Sequence, residues 1–125
     1  MLGSATAHGV IAVTDIDRAK KFYSETLGLN LLDERPSGLQ YGAGGGTRFL
    51  VYPSQFSNAS ETTSMAFMVD DIDAAVKGLR DAGVTFEEYD LPGLKTVDGI
   101  ADAEGERGAW FKDPDGNILA LGQER

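Results

Sequence analysis

His8 is the only histidine in the 125-residue chain, and the chain has no cysteine. An imidazole can serve as acid, base, hydrogen-bonding group or metal ligand. A lone one holds a divalent cation weakly, because such a site needs three or four donors of suitable type. The lack of cysteine removes disulfides, thiolate catalysis and cysteine metal ligands. No G-x-S-x-G nucleophile motif occurs. The acidic residues Asp98, Asp102, Glu104 and Glu106 have no spacing that would bring two carboxylates together, and they read as a solvated loop. The glycine-rich run 42–46 lacks the P-loop lysine with its serine or threonine, and no helical pattern follows it. It reads as a strand connection and not as a phosphate cradle. What remains is Tyr41, Tyr52, Phe56 and Trp110 with Arg48. Aromatics beside an arginine can stack on a planar ligand, and aromatics on strands equally serve packing alone.

These residues must be positioned by a scaffold, and the scaffold repeats itself. The run Val13, Thr14, Asp15, Ile16, Asp17, Arg18, Ala19 matches the run Val69, Asp70, Asp71, Ile72, Asp73, Ala74, Ala75 at five of seven positions, 56 residues apart. In each copy an alternating apolar run precedes an aspartate, and helical spacing follows it, which is how a strand passes into a capped helix. Asp15 and Asp71 are the expected N-caps. Asp17 and Asp73 stand where the positive end of the helix dipole favours a carboxylate. Ile16, Ala19, Phe22, Tyr23 and Leu27 form one apolar stripe, and Ile72, Ala75, Val76, Leu79 and Ala82 form the other, so each helix packs on a flat surface. Gly28 and Gly83 end them.

The remaining segments read as strands at 6–13, 30–34, 39–42, 47–52, 64–69, 84–89, 107–112 and 117–122, with a turn at Asp113, Pro114, Asp115 and Gly116. Helices are expected at 16–26 and 72–82. The long stretch 90–105 reads either as a lid over a site or as a paired strand near 96–101 plus loop. The expected fold is α+β. Two tandem βαβββ modules, about 5–53 and 64–123 with a linker at about 54–63, build one curved, mostly antiparallel eight-stranded sheet in a single domain. Two helices cover its outer side, and its concave cup is the place to look for a ligand. The net charge of −9 and pI near 4.4 argue against nucleic acid or an anionic membrane as partner. No apolar run reaches the roughly 18 residues of a membrane span, and the first eight residues lack the pattern of a secretory signal, so a cytoplasmic location is expected.

The repeated Val-x-Asp-Ile-Asp, the Phe22-Tyr23 pair followed by Leu27-Gly28-Leu29, and the closing Phe111-Lys112-Asp113-Pro114-Asp115-Gly116-Asn117 resemble the vicinal oxygen chelate superfamily. That group includes glyoxalase I, extradiol dioxygenases, methylmalonyl-CoA epimerases and bleomycin-resistance proteins. The resemblance implies a divalent metal in the cup, held by His or Gln on first strands and Glu on last strands of the modules. It places these positions at His8, Ser64 and Ala120, and the fourth falls on the strand near 48–53, which carries no His, Asp or Glu. With one donor surviving, the metal centre reads as absent and no cofactor is expected. His8 is then either a base or hydrogen-bonding group in the cup, or a polar residue satisfied on an early strand. The expected function is metal-free binding of a small apolar or aromatic molecule by a cup that includes His8, Tyr41, Arg48, Tyr52, Phe56, Ser64, Trp110 and Ala120. The alternative is a glyoxalase-type lyase, isomerase or dioxygenase with an atypical, weakly held metal or with His8 as acid or base. The resemblance also implies a homodimer.

Overall fold

The computed structural model describes residues 2–55, 62–103 and 105–124. The chain divides into two compact units, Met1–Asn58 and Ala59–Arg125. The first contains β1 (Gly9–Val13), α1 (Ile16–Lys21, continued by a π-helical turn over Phe22–Thr26), β2 (Asn30–Arg35), β3 (Gly38–Gly42) and β4 (Arg48–Pro53). Its sheet has the order β1-β4-β3-β2, with β1 and β4 parallel and the other pairs antiparallel. The helix begins where the sequence predicts, because the Asp15 carboxylate accepts the Arg18 backbone N–H at 3.0 Å. Alternation then decides the sheet's two faces. Ile11, Val13, Leu39, Tyr41, Phe49 and Val51 are buried with Ala19 and Tyr23 of the helix. The rings of Tyr23, Tyr41 and Phe49 lie 5.7 to 5.9 Å apart and fill the centre of this layer.

The second unit contains β5 (Thr63–Met68), α2 (Ile72–Asp81), β6 (Asp90–Leu91), β7 (Leu94–Val97), β8 (Ile100–Ala103), β9 (Glu106–Lys112) and β10 (Ile118–Glu124). The sheet order is β5-β10-β9-β8-β7-β6, with only β5 and β10 parallel. Asp71 caps α2 by accepting the Ala74 N–H at 3.1 Å, and the Gln123 side-chain oxygen accepts that of Ile72 at 2.7 Å. Two donors that a helix start leaves unpaired are thereby satisfied. Ile72, Val76, Phe86, Ala109, Phe111, Leu119 and Leu121 form the buried layer between α2 and the sheet. No helix among the described residues is long and apolar enough to cross a membrane.

The α+β class and both capped helices are as the sequence implies, but the strand inventory differs. Among the described residues, ten strands in two sheets stand in place of eight in one. Residues 84–89 form no strand; they meet β9 through the isolated bridge Phe86 to Phe111 and through the Glu87 N–H, which donates to the Trp110 carbonyl at 2.8 Å. The reason is that β8 already pairs with the first half of β9, at residues 106–108. The stretch 90–105 is a meander of three short strands. Its turns are Leu91-Pro92-Gly93-Leu94, with Gly93 at φ 81°, and Val97-Asp98-Gly99-Ile100, with Asp98 at φ 51° and Gly99 at φ 81°. The second has both central residues left-handed, the backbone twist that joins two antiparallel strands most tightly.

One ion pair ties α2 to the sheet. Arg107 of β9 donates through both terminal nitrogens to Asp73, at 2.8 and 3.0 Å. The Arg107 Nε is buried without a hydrogen-bond partner, 3.9 Å from an Asp102 oxygen. The guanidinium holds the Asp73 carboxyl below its usual value of 3.8. A depressed carboxylate gives stability that is fully present above its unfolded pKa and is lost as pH falls through the folded value. The urea midpoint of the protein therefore exceeds that of Asp73→Asn by a constant gap above about pH 5, and the gap closes as pH falls below 3.8. A gap that persists unchanged to pH 2 would show that the pair contributes nothing through its charge.

Candidate functional site

Because each helix covers one face of its sheet, each unit keeps an open face. In the first unit β4 presents Arg48, Leu50 and Tyr52 there, opposite to the buried Phe49 and Val51. Val10 pairs with Leu50 and Ala12 with Tyr52, and Val10 is 61% exposed. A cleft of ≈ 470 Å³ lies between the turn at Gly28, Leu29 and Asn30 and the glycine-rich bend, with Leu32 and Arg48 beside it. Arg48 is exposed.

The open face of the second unit is more enclosed. A cleft of ≈ 400 Å³ is lined by the apolar or small residues Leu91, Leu94, Ala101, Ala103, Gly108 and Trp110 and by the charged residues Lys95, Asp102, Glu106 and Arg107. Strand pairing dictates this set. Ala101 pairs with Gly108, Ala103 with Glu106 and Ala120 with Trp110, and cross-strand partners share a face. The hairpin of β6 and β7 supplies Leu91 and Leu94, which pair with one another. Trp110 is half-buried. Its ring meets Tyr89 edge-on, with centroids 5.7 Å apart and planes at 83°. The arrangement is a flat aromatic ring beside a strip of sheet bearing Ala101, Ala103 and Gly108, with Glu106 on the same face. Such a surface accepts apolar matter and has charged groups around it.

Of the residues the sequence singles out, Trp110 is in this cleft and Arg48 and Tyr52 share the open face of the first unit. Tyr41 does not line an open face. It is fully buried on the helix side, where its hydroxyl lies 2.7 Å from the Ser24 hydroxyl. The physical reason is register: Tyr41 pairs with Phe49 and so shares the face of the core. Burial raises the phenol pKa, and the Ser24 bond opposes that only in part. Phe56 and Glu104 lie outside the described residues. His8 immediately precedes β1 and is exposed. Ser64 is exposed and is the extra residue where β5 shifts register against Ile118 and Leu119. Ala120 is buried between Ala66 and Trp110.

These positions do not fit a divalent cation: only His8 carries a donor that such ions favour, and a neutral hydroxyl and a methyl occupy the others. Among the described residues, no three of His, Asp and Glu come together as a metal-holding set. Asp98 serves the hairpin, where its backbone carbonyl accepts from Arg80 at 2.8 Å. The sequence reading missed Leu91, Leu94, Ala101, Ala103 and Gly108. A glycine inside an apolar strand and the Pro-Gly and Asp-Gly turns were the available signals.

The family model described as Glyoxalase/Bleomycin resistance protein/Dioxygenase superfamily matches residues 5–121. No curated protein matches. Among solved structures, the chain is similar to TnmS3, an antibiotic binding protein from Streptomyces sp. CB03234, with 26% identity, 98% of each chain covered and a TM-score of 0.72. It is also similar to a glyoxalase family protein from Enterococcus faecalis, at 25% identity, 98% and 99% coverage and a TM-score of 0.71. A glyoxalase/bleomycin resistance protein from Streptomyces sp. CB03234 matches at 26% identity, 94% and 100% coverage and a TM-score of 0.67.

Since the Tyr41 hydroxyl works within the core, Tyr41→Phe loses about 1 kcal/mol of stability in urea unfolding. Unchanged stability would show that the contact with the Ser24 hydroxyl contributes nothing.

Proposed function

We propose, for a chain that belongs to the Glyoxalase/Bleomycin resistance protein/Dioxygenase superfamily, that it is a binding protein taking a small apolar or aromatic molecule into the open-face cleft of its second unit without a metal ion. The observation that carries this reading is the half-buried indole of Trp110 facing a strip of small residues in a cleft of ≈ 400 Å³. An aromatic ring left partly open beside such a strip is unused stacking surface. The similarity to an antibiotic binding protein supports small-molecule binding as the class of activity. The metal-free part of the reading is supported by residue types alone, since His8, Ser64 and Ala120 supply a single imidazole between them.

The single tryptophan makes the test direct. Either 2-naphthol or 1-adamantanol, titrated to about 1 mM, changes Trp110 emission saturably and raises the melting temperature by a few degrees through mass action. Trp110→Ala abolishes the melting shift. Equimolar zinc, nickel or manganese changes neither the melting temperature nor the titration. Stoichiometric metal binding that disappears in His8→Ala would overturn the metal-free reading, and the failure of both probes to bind would overturn the binding reading itself.

A further inference from the structure

Gly108 stands in the interior of β9, where glycine is a poor choice. It packs no side chain and loses more backbone entropy than any other residue. Its backbone does not call for glycine, because its φ is not among the positive values of the chain. What crowds a side chain at this position is Trp110. A Cβ built on Gly108 would stand 3.0 Å from Cη2 and 3.4 Å from Cζ2 of the indole, and its next contact is the Leu121 carbonyl oxygen at an ordinary 3.6 Å. The Cη2–Cζ2 edge of the six-membered ring therefore reaches the place a Gly108 side chain would take. Tyr89, edge-on at 83°, props the ring at another side.

The same arrangement recurs one strand away. Gly122 pairs with Gly108 across β10 and β9, and a Cβ there would stand 3.0 Å from Sδ and Cε of Met68. Two glycines facing each other each make room for a long apolar side chain laid along the sheet. On the opposite flank of Gly108 its partner is Ala101, with Ala103 two residues further on. The indole and this strip of methyl groups line one cleft, with Leu91 and Leu94 of the β6–β7 hairpin beside them and Lys95, Asp102, Glu106 and Arg107 also in its lining.

Resting on the binding reading above, we infer that the ligand is a planar fused-ring aromatic molecule lying flat across the Trp110 indole and the Ala101–Gly108 strip, and that Gly108 is the positioning residue that sets this shape. A flat molecule touches ring and strip together. A globular hydrocarbon of equal size touches one of them and stands off the other, forfeiting dispersion contacts that decay within an ångström.

The test uses the two neutral alcohols 2-naphthol and 1-adamantanol with the 125-residue chain, read by Trp110 emission and by isothermal titration. The wild type binds 2-naphthol at least tenfold more tightly than 1-adamantanol. Gly108→Ala, whose methyl displaces only the indole, shifts the ligand-free emission maximum and lowers the ratio of the two affinities at least threefold, and Gly108→Val lowers it further. A change of fold stability alone would not move that ratio, and Gly108→Ala requires no left-handed backbone, so it remains informative if the valine variant unfolds. Equal affinity for the two probes, or a ratio unchanged in Gly108→Ala, overturns the inference while leaving the binding reading in place. Failure of both probes to bind the wild type overturns both.

Discussion

The register of β9 between β8 and β10 is the constraint on which the second unit depends. Arg107, Ala109 and Phe111 project to the helix side, and Gly108 and Trp110 project to the open side. A slip of one residue would exchange the two sets, because side chains on a strand alternate with period two. Three devices hold the register. Phe111 packs edge-on against Phe86 at 5.5 Å in the layer under α2. Arg107 reaches Asp73 with a two-pronged hydrogen bond that tolerates little sliding. At the far end, the buried Asp113 side chain accepts the N–H groups of Asp115 and Asn117 and the Asn117 side-chain amide, at 2.8 to 2.9 Å. That turn fixes where β10 begins and hence which residue faces Trp110. Burying Phe111, Leu119 and Leu121 contributes roughly 1.5–3 kcal/mol each, so the wrong register would cost several kilocalories before any ligand is considered.

The two units start from the same strand and capped helix and then place their aromatics differently. In the first, Tyr23, Tyr41 and Phe49 cluster beneath the helix, and the open face carries Tyr52 with Arg48 and Leu50, with Val10 and Leu32 exposed. In the second, Phe86 and Phe111 fill the helix side and the one tryptophan is turned outward. The meander β6–β7–β8 has no counterpart in the four-stranded sheet of the first unit. It lengthens the second sheet past β9 and supplies both the methyl strip at Ala101 and Ala103 and the leucine wall. Its hairpin is itself anchored, since Glu88 accepts from the Gly99 N–H and the Thr96 hydroxyl at 2.7 Å each. The enclosed cleft is thus a product of where the repeat ends.

That division also explains what could be read in the residues beforehand. The βα unit was legible because caps, stripe and stop are local signals and because they occur twice, at Asp15 and at Asp71. Tyr41 was misassigned because its face depends on pairing with Phe49, a partner that no local pattern identifies. The 90–105 meander was half legible. Asp98-Gly99 between Val97 and Ile100 is a hairpin signal on its own terms, yet the flanking strands are four residues each and lack the alternation that marks a longer strand. Gly108 was illegible for a different reason: its side-chain-free position matters only once the edge of the Trp110 ring is known to reach it, which is a fact of tertiary packing.

The size of the cleft bounds what the molecule can do with it. A two-ring aromatic that buries about 200 Å² of apolar surface gains about 5 kcal/mol at 25 cal/mol per Å², and stacking adds about 1 kcal/mol. Before the cost of immobilising the ligand, that sum corresponds to a dissociation constant on the order of tens of micromolar. Tighter binding needs either more rings on the same flat surface or polar contacts at the edge, where Lys95 and Glu106 stand. More rings cost little extra in lost freedom, because a fused system is already rigid, whereas each edge contact must first displace water from an exposed charge. The geometry of small residues around one indole therefore favours extended, rigid aromatics, and affinity in this cleft should grow with ring count more steeply than with added charge.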